Sequence, residues 1–277
     1  MPKLLTPAQV AQFREAGYVH PIRVISEAQA ADLRARLEAY EAASGGPLKG
    51  AFRHKTHLLF AWLADLVHHK TILDAVEDLY GPDLFCWSSS FFIKEPRTPA
   101  FVSWHQDSTY WGLDPDDVIT AWVAFTGSDL ASGCMKVIPG THTRSQIPHV
   151  DTFHQDNLLS RGQEIAVEVD AAKAVDIVLQ PGEVSLHHIK LVHGSEPNRS
   201  ADRRIGFAIR YIPTYVRQTK VRDSAMLVRG EDRHRNFDPE PRPRHDIDEA
   251  ALAAHADAVN RQIAALYQGT SKKEFRA

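Results

Sequence analysis

Leu84-Phe85-Cys86-Trp87-Ser88-Ser89-Ser90-Phe91-Phe92-Ile93-Lys94 is the stretch at which the sequence changes its period. Aromatic and aliphatic residues interleave with serines and a terminal lysine, the pattern of a strand with two unlike faces. If the strand is regular, Ser88, Ser90 and Lys94 point the same way, inward. Strand-like runs follow at 118 to 126 and at 134 to 138, the latter closed by Pro139-Gly140. Others lie at 165 to 169, 174 to 179, 183 to 187 and 204 to 213. Strands this short and frequent, with no crossover helices between them, predict an antiparallel double sheet or jelly roll rather than a parallel α/β sheet. The segment 141 to 164 carries few strand signals and reads as an insertion or lid.

Outward from that core the chain reads as helical. Thr6 with Gln9 three positions on, and Pro7 at the first helical position, is a capping box for a helix ending near Gly17. Ser26 with Gln29 repeats the device, and Leu33, Leu37 and Tyr40 recur at helical spacing up to Ser44-Gly45-Gly46-Pro47. Leu66, Leu73, Val76 and Tyr80 continue the pattern to Gly81-Pro82. At the far end, Ile247, Leu252, Ala253, Val259, Ile263 and Leu266 form the apolar stripe of a helix over 247 to 268. The expected fold class is mainly β with helical additions. One domain over 1–277 is expected, with a helical lead-in at 1–82, a β core at 83–213 and an extension at 214–277.

Composition narrows the function classes. Apolar residues are 43% and charged residues 24%, and no stretch reaches 18 apolar residues, so no membrane segment is expected. The net charge of -3, with acids and bases interleaved, leaves no footprint for nucleic acid or an anionic membrane. The first residues lack the apolar run of a secretory signal, so a cytoplasmic location is expected. Cys86 and Cys134 are too few for a disulfide framework and not spaced for zinc; both read as small buried apolar residues. Fifteen histidines stand out, because imidazole is the commonest transition-metal ligand among side chains.

Trp104-His105-Gln106-Asp107 sets an imidazole and a carboxylate two residues apart, which on a strand places both on one face. A third ligand must come from elsewhere. Gly182 to Ser195 reads as a strand and turn arriving at His193-Gly194-Ser195. Two histidines and one carboxylate on one side of a metal leave adjacent positions open, as an iron(II) oxygenase needs for a bidentate co-substrate and dioxygen. By itself a His-x-Asp triplet is weak, since a strand histidine bonded to its neighbour looks the same. The order of parts adds to it: strand, His105-x-Asp107, a strand with Ala121-Trp122, Gly133-Cys134 through Pro139-Gly140-Thr141-His142, His193-Gly194-Ser195, then a strand bearing arginines.

In that order the sequence resembles the phytanoyl-CoA dioxygenase family of 2-oxoglutarate-dependent oxygenases, over roughly residues 84 to 213. The resemblance implies a double-stranded β-helix core of cupin-like type, with His105, Asp107 and His193 binding Fe(II). It also implies an arginine about ten residues past the last histidine that pairs with the distal carboxylate of 2-oxoglutarate. Arg203 and Arg204 both fit. Arg204 is preferred, by family spacing and because on a strand it shares a face with Gly206, Ala208 and Arg210, small residues among them leaving room for a ligand. Ser195 adds a hydroxyl to the same carboxylate by family analogy, Trp122 lines the co-substrate, and Ser90 is placed with that set. Of His187 and His188, one is expected to pack or hydrogen-bond behind the site, and His142 to be a turn residue. The implied reaction consumes 2-oxoglutarate and O2, releases succinate and carbon dioxide, and hydroxylates an unactivated carbon. Related halogenases resemble this family but carry a small residue where Asp107 stands, which favours hydroxylation here.

For the substrate, Tyr110 and Trp111 fall where ectoine hydroxylases of the superfamily place substrate-contacting aromatics, and such faces bind ammonium groups. Arg53, Arg210 and Arg203 offer charge for an acidic group, and His57 and His54 are the helical-region histidines expected at a pocket. The runs Trp87 to Ser90, His105 to Trp111 and His193 to Asn198 resemble the aminoalkylphosphonate hydroxylase branch, so a small zwitterion of that type is expected. Two other classes remain open at the level of sequence: a cupin-like protein that binds a metal or ligand without catalysis, and a zinc hydrolase. No feature reports oligomeric state.

Overall fold

A computed structural model describes residues 2–166, 169–269 and 275. Two antiparallel sheets face each other. The larger has seven strands in the order Tyr18–Arg23, Glu183–His188, Ile119–Ala124, Arg204–Pro213, Leu84–Lys94, Ser224–Arg229 and Asp238–Pro239, with a parallel pairing at the last edge. The smaller orders Val102–His105, Val192–Ser195, Met135–Ile138 and Val175–Ile177. This is the cupin-like double sheet, mostly β with helices at the ends.

Side-chain alternation on the larger sheet separates packing from chemistry. Phe91, Phe125, Ile205, Phe207, Ile209 and Leu186 join Phe13, Leu37, Leu63, Val67 and Val76 in the main apolar core, so the helices cover the outer face. Phe91 and Phe207 meet with ring centroids 4.9 Å apart, and each buried side chain of this size contributes about 1.5–3 kcal/mol. The opposite parity faces the second sheet. There Arg204 pairs with Lys94, Gly206 with Phe92, Ala208 with Ser90 and with Trp122, and Arg210 with Ser88 and with Thr120. A smaller cluster of Trp122, Met135, Val137, Ile177, Leu191 and Ala208 closes one end of that interior.

Both capping boxes form, at Thr6 with Gln9 and at Ser26 with Gln29, and Gly17 ends the first helix at φ 85. A side chain at Gly17 would collide with the His142 ring, whose Nε2 donates to the Arg14 carbonyl at 3.1 Å. His142 therefore tethers the helix end and stays away from any metal. The reading of 1–82 as wholly helical is corrected by Tyr18–Arg23, a strand paired to Glu183–His188; partners distant in sequence, not local pattern, make it one. The final helix runs Glu249–Leu266 behind an Asp248 cap. Of the run expected at 165 to 169, the strand is Gln163–Ile165, and residues 167 and 168 lie outside the described residues. Cys86 and Cys134 are buried free thiols. Among the described residues no helix is long and apolar enough to cross a membrane.

Candidate metal and co-substrate site

The smaller sheet sets the geometry of the cluster. His193 lies opposite His105 in the antiparallel pair, and their ring centroids are 4.1 Å apart. The strand ends at His105, so Asp107 is not delivered by alternation. It sits in αR conformation at the start of the short helix Ser108–Trp111. The turn is pinned by the Asp107 amide donating to the Ile189 carbonyl at 3.0 Å and by Gln106 Nε2 donating to the Lys190 carbonyl at 2.8 Å. The loop before His193 thus positions the carboxylate that joins it. One ligand atom from each of His105, Asp107 and His193 lies within 4.8 Å of the others, and all three residues are buried.

Hydrogen bonding tests whether these atoms suit a cation. His105 Nδ1 lies 2.9 Å from the Ser103 carbonyl and 3.1 Å from that of His193, while His193 Nδ1 is 2.9 Å from the Leu191 carbonyl. Carbonyls only accept, so both Nδ1 atoms carry the proton and both Nε2 atoms present lone pairs. His105 Nε2 stands 3.4 Å from Asp107 Oδ1. Two lone pairs and a carboxylate converging in a buried space repel one another unless a cation sits among them, so the residues fit a divalent metal. Burial, with His105 close by, keeps His193 far below the usual histidine range. Burial alone would raise the Asp107 carboxyl, but the groups facing it, the Arg210 guanidinium among them, outweigh burial and hold it ionised.

Two compartments meet at Asp107, Phe92 and Arg210. The smaller, about 420 Å³ counted to its mouth, also takes in His105, His193, Thr120, Trp122, Ser195 and Arg204. Arg204 is 2% exposed; its Nη1 donates to the Gly133 carbonyl at 2.5 Å, its Nε has no partner, and among the described residues no carboxylate pairs with it. Burial pushes its pKa down to about 10. A guanidinium left so has the donors to grip a carboxylate with two parallel hydrogen bonds. Thr120 Oγ1 and His187 Nδ1, cross-strand neighbours on the same wall, are likewise buried without partners. Gly206 does not leave room for ligand, as the sequence suggested. A Cβ there would stand 1.8 Å from the Trp122 ring, and that indole lies under the Arg204 guanidinium at 5.2 Å.

The larger compartment, about 910 Å³ counted to its mouth, is lined by Arg53, His54, Trp87, Ser88, Ser90, Trp111 and Gln262, together with Gln155 and residues 157 to 160 of the expected lid. The lid closes on itself through the hairpin of His149–Asp151 with Gln163–Ile165, and it is joined to the core by a bridge between Phe101 and Asn157 and by Ser103 Oγ donating to the Gln163 carbonyl at 2.6 Å. Arg210 donates to Ser90 Oγ and, at 3.3 Å, to the Ala208 carbonyl, while its Nε has no partner. Arg53 has no ion pair among the described residues, and burial lowers its pKa.

Several expected positions fall elsewhere. Ser90 lies in the larger compartment, held by Arg210, and not with Arg204. Arg203 precedes the strand and turns out to Glu38, Glu41 and Glu95, so the ambiguity between the two arginines resolves by direction. Tyr110 faces away: its hydroxyl donates to Asp151 at 2.6 Å and Arg161 covers its ring at 3.9 Å. His57 is fully buried on the outer face, where Nε2 donates to Glu240 at 3.2 Å and Nδ1 accepts from Ser89 Oγ at 2.8 Å. His187 lines the smaller compartment, its ring 4.9 Å from His193, while His188 packs against Phe13 and His142 away from it. Thr120 was also missed, although its spacing of two from Trp122 is the signal that finds it. Nothing local marks Gln262, which the final helix brings in from far along the chain.

A cupin-like double sheet with a His-Asp-His cluster beside an unpaired buried arginine defines the class of mononuclear non-heme oxygenases that use 2-oxoglutarate. The family model for phytanoyl-CoA dioxygenase matches residues 13–206, and the chain belongs to that family of Fe(II)/2-oxoglutarate oxygenases. A probable alpha-ketoglutarate-dependent hypophosphite dioxygenase of Stutzerimonas stutzeri is 30% identical over 158 residues, 55% of this chain and 54% of that protein. The chain spans about half the length of the curated relatives it matches. Among solved structures, the non-heme monooxygenase ThoJ in its apo form is 39% identical at a TM-score of 0.82, covering 92% of this chain and 95% of that one. The alpha-ketoglutarate-dependent carbocyclase SnoK of nogalamycin biosynthesis is 26% identical at 0.63, covering 77% and 86%.

Proposed function

We propose that this chain hydroxylates an unactivated carbon of a small zwitterion bearing a strong anionic group, an aminoalkylphosphonate being the leading class, and consumes 2-oxoglutarate and O2. The observation that carries this is the division of the cavity. The smaller compartment holds the His-Asp-His cluster and an unpaired arginine, the larger adds Arg53, and Asp107 and Arg210 lie on the wall common to both.

Bound at that cluster, Fe(II) with 2-oxoglutarate supplies an oxidant for C–H bonds that no protein side chain provides. The rest is positioning. Arg204 seats the distal carboxylate of the diacid, with the Ser195 hydroxyl on the same wall and Trp122 along its flank. Arg53 and Arg210 hold the substrate anion on the other side of the metal. Gln262 donates to Ser88 Oγ at 2.8 Å, which leaves its Oε1 buried and unpartnered as an acceptor for an ammonium hydrogen. Trp111 also lines that compartment, with the Arg210 guanidinium over its ring at 5.5 Å. Lid residues and the final helix limit access of water to the reacting carbon. A carboxylate at 107, in place of the small residue of related halogenases, favours hydroxylation over halide transfer. The Stutzerimonas relative, named for a phosphorus oxyanion, supports a phosphonate end.

Substrate-stimulated succinate release by Fe(II)-loaded protein tests the proposal, screened across aminoalkylphosphonates, amino acids and acyl thioesters. Stimulation by the phosphonates is expected. A response only to acyl thioesters would remove the small-zwitterion reading. Failure to bind 2-oxoglutarate or release succinate under any condition would leave a non-catalytic binder, and activity that persists without O2 on zinc would leave a hydrolase.

A further inference from the structure

Behind Ser195, at the closed end of the smaller compartment, lies a lysine that the proposed chemistry has not used. Lys94 is fully buried, ends its strand opposite Arg204, and has no carboxylate partner among the described residues. Its Nζ has three neighbours: Ser195 Oγ at 2.6 Å, the Gly133 carbonyl at 3.3 Å and the Glu196 carbonyl in close contact. Arg204 shares the Gly133 carbonyl. Two basic side chains are therefore packed side by side with no carboxylate among the described residues to pair with either.

The donor count gives this arrangement two states. An ammonium has three N–H groups and accepts nothing, so the two carbonyls and Ser195 Oγ each receive one. The Ser195 hydroxyl hydrogen is then free to point into the compartment. A neutral amine has two N–H groups, which the carbonyls take, and a lone pair, which accepts the Ser195 hydroxyl hydrogen and turns it away from the compartment. We propose that Lys94 is a positioning residue whose protonation aims the Ser195 hydroxyl at the co-substrate carboxylate, so that binding of the diacid is coupled to uptake of one proton by Lys94. The inference rests on the reading of this compartment as the 2-oxoglutarate site.

The groups facing Lys94 leave it as the one that titrates near neutrality. Burial, then the Arg204 charge, push it down to about 6, with Glu196 and the Cys134 thiol acting weakly the other way. Arg204 stays near 10, burial raises Cys134 to about 11, and burial holds His187, on the same wall, at about 4. Lys94 is then expected to be neutral at pH 8 until the diacid binds. An arriving carboxylate supplies the missing anion and draws a proton from the buffer.

Anaerobic calorimetry of 2-oxoglutarate binding to the Mn(II)-loaded full chain, in two buffers of different ionisation enthalpy, reads the proton count directly. Uptake approaching one proton at pH 8, shrinking below pH 6, is expected. Lys94→Met should bind about 10–100-fold more weakly with no uptake, the size of a lost charge-assisted hydrogen bond. Lys94→Arg, charged at every pH, should bind without uptake and without the pH dependence. Ser195→Ala should keep most of the uptake while losing affinity. Binding by the wild type with no proton uptake at pH 8 would overturn the inference alone, as would a Lys94→Met protein that takes up as much as the wild type. If that variant fails to fold, the wild-type proton count decides by itself. Absence of 2-oxoglutarate binding to the metal-loaded wild type would overturn the function proposed above and this inference with it.

Discussion

At the scale of single residues, the site is defined by buried polar atoms that lack partners among the described residues. The two Nε2 lone pairs and the Asp107 carboxylate ask for a cation, and the Arg204 fork asks for a carboxylate. Asp107→Ala should abolish turnover. Mn(II) in excess should raise the Tm of the wild type, since a ligand at about 100 times its Kd adds about 2.7 kcal/mol, and should raise that of Asp107→Ala far less. An equal Tm gain in both proteins would exclude Asp107 as a ligand. Arg204→Met should raise the KM for 2-oxoglutarate by at least about 100-fold, because a buried bidentate pair is lost. Steady-state kinetics with varied co-substrate would show it, and an unchanged KM would return the role to another cation. His105, Asp107, His193 and the pair Arg203-Arg204 were legible in the sequence because their spacing is fixed by one turn and by strand parity. Which arginine turns inward was settled by where the strand begins, at Arg204.

At the scale of elements, the larger sheet works as a partition. Odd and even positions of Arg204–Pro213 send phenylalanine and isoleucine to the helices and arginine, glycine and alanine to the cavity. Gly206 is the narrow point, because the Trp122 indole occupies the space of its absent side chain. Gly206→Ala should displace that ring, lowering stability by about 1–3 kcal/mol through overpacking and raising the 2-oxoglutarate KM in the same protein. Denaturant melts and kinetics check the two effects together; a variant with native stability and native KM would mean that the ring has room to move. Sequence periodicity found this strand to the residue. It placed Ser90 correctly on the inner face yet on the wrong side of the metal, since parity fixes a face but not a position along the cavity.

At the scale of the whole molecule, the outer face of the β core is held to the N-terminal segment by buried charge. Lys55 Nζ donates to Glu240 at 2.6 Å, and His57 Nε2 to the same carboxylate, with Lys55 and His57 fully buried. Burial would raise the Glu240 carboxyl, but the Lys55 charge and the His57 bond win and bring it down to about 2. A carboxyl depressed in the folded state stabilises above its unfolded pKa, and that contribution is lost as pH falls through the folded value. Acid unfolding should therefore steepen between about pH 4.5 and 2. In Glu240→Gln that acid dependence should weaken, and the variant should lose about 3–5 kcal/mol at pH 7 by leaving Lys55 buried and unpaired. A neutral-pH Tm within about 2 °C of wild type would refute the role given to this pair. What the sequence determined by itself was local: the period of each strand, the helix caps, and the order His105, Asp107, His193, Arg204, because these depend on neighbours a few residues apart. What only the tertiary structure decided was which compartment each inward side chain enters. That separated Ser90 from Arg204, hid His57 behind Ser89, turned Tyr110 toward Asp151 and brought Gln262 beside Ser88. Such placements arise from contacts between elements 30 to more than 170 positions apart in the chain, and no local pattern encodes them.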